Sequence, residues 1–190
     1  MKLTSYYNPR RSNDLLKTTK IWEAGRATSA ASTFFEPIEI GPNSEPFVDG
    51  ATGTNNPIRE LWTEASDVWR KEGPLQDDIQ CLVSIGTGVP AFHAPGSKLL
   101  QLARSLKEIA TETEKTAEKF AEEHWQLVKD FRYFRFNVTN GLEDVSLSEV
   151  EKRGVVVGAT RRYLSSEAIT TQMERCGKNL RERDCASVFA

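Results

Sequence analysis

The sequence has no apolar run approaching the 18 or so residues of a membrane-spanning helix, and no apolar core near Met1 for a secretory signal. Both absences predict an intracellular, cytoplasmic chain without a transmembrane segment, whose membrane contact is peripheral. Cysteine is scarce. Cys81, Cys176 and Cys185 are odd in number and unpatterned for metal, which predicts reduced thiols and no disulfide framework. Histidine is scarcer: His93 sits in a proline-bearing loop and His124 on an apolar helical stripe, and packing or solvent explains each better than catalysis. No dinucleotide or P-loop glycine pattern follows Gly86-Thr87-Gly88, which argues against nucleotide binding. No cofactor or metal is expected. Excess charge is also lacking, with 25 Lys and Arg against 27 Asp and Glu. Nucleic acid is therefore not an expected partner, even though Arg161, Arg162, Arg175, Lys178, Arg181 and Arg183 make the last stretch basic. Without a secretory signal, the sequon at Asn137-Val138-Thr139 carries no weight.

What is present fits an ordinary folded domain: 190 residues, 38% hydrophobic and 27% charged. Residues 1–20 are polar, basic and free of glycine, and read as a flexible N-terminal segment on which Leu15 and Leu16 could dock as a short helix. The spacing predicts a helix over 20–32, strands over 34–40 and 46–49, and an amphipathic helix over 57–71. The apolar run over 79–85 predicts a parallel strand buried on both faces. Residues 98–131 carry apolar positions every three or four residues; Thr111 with Glu114 resembles a capping box and predicts a break near Ala110. Period-two alternation over 132–138 predicts a strand with Phe134, Phe136 and Val138 toward the core. Ser146 with Glu149, or Ser148 with Glu151, is a candidate cap for a helix over 155–164, and a last helix is expected over 169–184.

One stretch points to chemistry. In Phe47-Val48-Asp49-Gly50-Ala51, followed by Asn55-Asn56-Pro57, an aspartate stands on a tight turn at the end of a strand, and Asn56 and Pro57 read as the cap and first residue of a helix. Gly50 and Gly53 suit backbone angles that other residues resist. Upstream lies Trp22-Glu23-Ala24-Gly25-Arg26-Ala27-Thr28-Ser29-Ala30-Ala31-Ser32, and downstream Ser84-Ile85-Gly86-Thr87-Gly88. This ordered set, from Trp22 to Gly88, resembles the patatin-like phospholipase family; Gly25 stands where that family usually has alanine and Ser32 where it usually has proline.

The resemblance implies a serine acyl hydrolase with a Ser-Asp dyad, in which Asp49 is the catalytic base and Gly50 and Ala51 form the turn that holds it. The expected fold class is α/β: a partial patatin-like three-layer fold, with a mainly parallel sheet flanked by helices and a helical C-terminal half over residues 21–190. The implied substrate is a phospholipid or other lipid ester. The nucleophile would stand in a Gly-x-Ser-x-Gly elbow behind a glycine-rich oxyanion loop. No serine of the chain has glycine two residues before and two after it, and no glycine precedes Trp22. The sequence thus reads as the C-terminal portion of a patatin-like domain, whether a gene-model truncation, a split protein or a degenerate copy. Self-association, or pairing with a missing N-terminal half, is expected where strands lack neighbours. The alternative is a non-catalytic remnant acting as an interaction module through its helical half.

Overall fold

The computed structural model describes residues 2–10, 12–31, 35–69, 73–89, 97–142, 145 and 149–182. Two compact units divide the chain, Met1–Leu75 and Gln76–Ala190.

In the first unit, α1 (Asp14–Thr18) and α2 (Ile21–Ala27) precede an antiparallel hairpin of β1 (Ile38–Ile40) and β2 (Glu45–Phe47), with Ile38 opposite Phe47 and Ile40 opposite Glu45. Gly41 turns the hairpin in the left-handed region (φ 82°), where a side chain would be strained. Leu15, Ala27 and Ile40 form a small core, packed by Leu3, Ile38 and Phe47. Two further helices follow, α3 (Ala51–Thr54) and α4 (Ile58–Val68).

The lead-in, read from the sequence as a flexible segment, makes polar contacts with α4. Asn8, 1% exposed, donates from Nδ2 to Glu64 of α4 (3.0 Å) and exchanges hydrogen bonds with the Asn13 side chain. Lys2 pairs with Glu60 (2.5 Å), and Arg10 with Asp67 (2.6 Å). Polar composition suggested disorder, but here the polar groups are spent on α4. The helix expected over 20–32 stops at Ala27. Thr28 and Ser29 hydroxyls donate to carbonyls of Gly25 and Arg26, which competes with continuation of the helix. Phe34, expected in a strand, lies outside the described residues, as do Ser146 and Ser148.

The second unit contains α5 (Leu75–Asp78), which starts at the junction, then β3 (Leu82–Ile85), α6 (Ser97–Glu123), α7 (Trp125–Lys129), β4 (Tyr133–Phe136), α8 (Arg153–Leu164) and α9 (Glu167–Arg181). β3 and β4 pair in parallel, with Leu82 opposite Tyr133 and Ile85 opposite Phe136. This is the small parallel sheet expected of an α/β chain, and helices flank it. On one face Tyr133 meets Phe120 of α6 (ring centroids 5.3 Å), and Arg135 reaches Glu114 of the same helix. On the other, Val83 and Phe136 face side chains of α8 and α9 across a cavity. The Phe134 and Phe136 rings stack with nearly parallel planes, their centroids 6.4 Å apart.

Three expectations change here. The strand over 132–138 is covered on both faces, since α6 receives Tyr133 and Arg135 as the aromatic face packs elsewhere. β3 is not buried on both faces: Ser84 is buried, yet Ile85 is 78% exposed. The break near Ala110 is absent, and α6 runs unbroken to Glu123, where His124 caps the short α7. Glu114 is occupied by Arg135 and Asn137, so it does not reach back as a capping-box partner. His124 stacks against Phe120 at 4.4 Å, the packing role read from the sequence.

Phe120 is 1% exposed at the centre of this arrangement. Phe120→Ala is expected to destabilise the second unit by about 3–5 kcal/mol, measured by urea unfolding, with Leu61→Ala on the half-exposed face of α4 as the near-neutral control.

Candidate functional site

Asp49 stands two residues beyond the end of β2. Its position is fixed twice: the main-chain N–H donates to the Ala30 carbonyl (3.0 Å), and Oδ1 accepts the Ala51 N–H (2.8 Å). The second is an Asx-type turn, in which a short acidic side chain closes on the backbone two residues ahead. Asp49 is half-buried, and Oδ2 accepts no hydrogen bond among the described residues. One carboxylate oxygen therefore holds the turn while the other is available to a donor.

Of the two glycines expected to need unusual backbone angles, only Gly53 does. Gly50 has ordinary right-handed angles (φ −62°, ψ −12°); its small size matters instead, because an added Cβ would meet Thr54 Oγ1 at 3.2 Å. Gly53 is the residue in the left-handed region, at φ 98°. Thr54 closes α3 by donating through both N–H (2.9 Å) and hydroxyl (2.6 Å) to the Gly50 carbonyl. Buried Asn56 then accepts the Ile58 N–H (3.3 Å), so α4 starts one residue later than expected, with Pro57 at its N-cap.

No described hydroxyl near this turn is poised as a nucleophile. Ser29, beside Ala30, donates to the carbonyls of Gly25 and Arg26 (both 3.1 Å). Arg26 sends Nη2 to the Glu36 carbonyl (2.7 Å), lies over the Phe35 ring and keeps a buried Nη1 without a partner.

A polar cluster that sequence reasoning missed lies in the second unit. Glu114 Oε1 accepts from Arg135 Nη2 (2.7 Å) and Asn137 Nδ2 (2.9 Å), while Arg135 Nη1 donates to buried Ser84 (2.9 Å). Asn137 Oδ1 accepts the Gly88 N–H (2.7 Å), which ties the Gly86-Thr87-Gly88 loop to the end of β4. Gly86 is required there, since a Cβ would collide with Asn137 and Arg135. The signal was present as charged and amide residues alternating with phenylalanine, but alternation alone assigned them to solvent. Burial raises the Tyr133 phenol above its usual value near 10, and Ser84 and Arg135 offset part of that rise; Ser84 lies close without hydrogen-bond geometry, so the buried hydroxyl has no partner among the described residues.

Two cavities adjoin this cluster. One of about 870 Å³ includes Glu114, Arg135, Arg162 and Gln172 in its wall. The other, about 560 Å³, is apolar and lies between the sheet and α8 and α9, with Val83, Phe136, Leu142, Met173 and Leu180 around it. A third of about 310 Å³ lies in the first unit, beside α1 and the hairpin turn. Asp49 lines none of the three. No helix is long and apolar enough to cross a membrane, and no group of three or more His, Cys, Asp or Glu could hold a metal ion; both statements concern the described residues.

The chain is thus mixed α/β, with an aspartate pinned on a strand-to-helix turn. Residues 1–62, the first third of the chain, match the family model described as patatin-like phospholipase. The matched stretch begins at the lead-in, earlier than the Trp22 at which the resemblance was read, and contains Asp49, Gly50 and Ala51. Ser84 to Gly88 lies beyond it. No match was found among curated proteins or among solved structures.

Asp49→Ala is expected to cost about 1 kcal/mol of stability in chemical denaturation and Asp49→Asn only a few tenths, because the amide oxygen can still accept the Ala51 N–H. Tyr133→Phe removes a buried, unpaired hydroxyl and is expected to be neutral or to stabilise by up to about 1 kcal/mol. Because the folded state holds the Tyr133 proton more tightly than the unfolded state, this residue's contribution is complete below pH about 10 and is lost as the pH rises through the folded value. Unfolding curves of the variant should accordingly lose stability less steeply than the parent above pH 10.

Proposed function

We propose that the chain is the aspartate-bearing part of a patatin-like lipid acyl hydrolase that cleaves an ester of phospholipid or lysophospholipid. Asp49 is the base of a Ser-Asp dyad whose serine elbow and oxyanion loop come from outside these 190 residues. The observation that carries this reading is the Asp49 turn inside the family-matched segment: Oδ1 is tied to Ala51, and Oδ2 is without a partner among the described residues. In such a dyad the serine hydroxyl donates to Oδ2 at roughly 2.6–3.2 Å and its oxygen attacks the ester carbonyl as the carboxylate takes the proton; the ester C–O bond breaks, the proton passes to the departing alcohol, and water then cleaves the acyl-enzyme to free the fatty acid and restore the serine. Gly50 and Ala51 keep the carboxylate aimed while this happens.

Half a dyad gives no acyl-enzyme. The chain alone is accordingly inactive, and its role as an interaction module is the second reading, favoured by the exposed apolar side chains Ile21 (95% exposed) and Trp22 (61%). Those residues stand on the motif helix itself and suit a surface on which the complementing half sits. The proposed setting is cytoplasmic, with peripheral contact at membranes.

Co-expression with a polypeptide carrying a Gly-x-Ser-x-Gly elbow and glycine-rich loop of the same family tests the proposal through fatty acid released from lysophosphatidylcholine. Turnover is expected only from the pair, reduced at least a hundredfold by Asp49→Asn. A paired preparation that turns over equally well with Asp49→Asn overturns the assignment.

A further inference from the structure

We propose that Cys81 and Cys176 are an oxidisable thiol pair that hydrogen peroxide closes to an intramolecular disulfide, tying α9 to the start of β3. The two are 95 residues apart in sequence, which hid them from any reading of cysteine spacing, yet their sulfurs stand 3.9 Å from each other. Both are free thiols. A disulfide needs the sulfurs at about 2.05 Å, so an approach of roughly 2 Å is required, within reach of side-chain rotation and a small shift of one helix.

Independent contacts keep the pair aligned. Asn179 of α9 donates to the Phe131 carbonyl (2.6 Å) and the Gln80 carbonyl (3.4 Å), and Gln80 donates in return to the Glu182 carbonyl. Arg175, next to Cys176, lies 3.9 Å over the Phe131 ring. α9 is thus stitched to the residues flanking Cys81 on either side of the thiol contact. Cys176 is buried and Cys81 half-buried, so a molecule as small as peroxide reaches Cys81 first. Burial pushes the Cys81 thiol up to about 12, with Cys176 adding to the rise. Thiolate is scarce as a result, which slows the reaction of Cys81 with peroxide.

The chemistry balances without another reactant. The Cys81 sulfur attacks one peroxide oxygen, the O–O bond breaks, and water leaves with the thiol proton, giving a sulfenic acid. The Cys176 sulfur then attacks the Cys81 sulfur, the S–O bond breaks, and a second water leaves with the Cys176 proton. Two thiols have lost two electrons, and one peroxide has become two waters. Because α9 supplies Met173, Cys176, Gly177 and Leu180 to the apolar cavity beside the sheet, the bond would fix that wall in place.

The test uses the full chain, treated with hydrogen peroxide, alkylated, digested and analysed by mass spectrometry. Expected is a linked peptide pair containing Cys81 and Cys176, two hydrogens lighter than the sum of the reduced peptides and released by dithiothreitol. Oxidation should also raise Tm by roughly 5–10 °C, an increase absent in Cys176→Ser and retained in Cys185→Ser. If Cys176→Ser does not fold, Cys81→Ser serves the same purpose. Linkage through Cys185, linkage between chains, or sulfinic acid on Cys81 with Cys176 still alkylated would each overturn the proposal.

Discussion

The hydrogen bond from the Asp49 N–H to the Ala30 carbonyl is the constraint on which the candidate site depends. It joins the turn after α2 to the turn after β2, two loops that sequence order separates by the whole hairpin. Ala30 is fully buried, so both partners of that bond are shielded from competing water on the Ala30 side. With the main chain fixed, the Asp49 side chain has one turn to close, onto Ala51, and one oxygen left over. The short residues of the motif follow from the same geometry: Ala27 and Ala30 bury without pushing the turn away, and Gly50 leaves room for Thr54.

Glu114 plays the corresponding part in the second unit. A single carboxylate oxygen collects Arg135 and Asn137, and through them Ser84 and the Gly88 amide, so that α6, β3, β4 and the loop after β3 are joined by one acceptor. The Ser84 to Gly88 motif is therefore accounted for by architecture: its serine accepts from an arginine and its glycines make room for, and donate to, an asparagine. None of its contacts resembles an activated nucleophile.

The sequence was legible where local chemistry decides the outcome. The Asp-Gly turn, the amphipathic face of α4 and the contact of His124 with Phe120 are all set by neighbours a few residues away. It misled where distant residues decide. The contacts of the polar lead-in were not legible, because its partners, Glu60, Glu64 and Asp67, lie more than fifty residues downstream. Thr111 and Glu114 imitate a capping box, but the demand of Arg135 and Asn137 on that glutamate outweighs a cap worth about 1 kcal/mol, and the helix continues. The Cys81 and Cys176 contact was invisible for the same reason.

In the proposed function Asp49 is a base held in readiness without its nucleophile in this chain. Intact-mass analysis of the folded chain after exposure to a fluorophosphonate, which tags activated serines, addresses that reading most directly. The account predicts an unchanged mass. A single adduct that disappears in Asp49→Asn would contradict it, by revealing within these 190 residues a serine that the aspartate already activates.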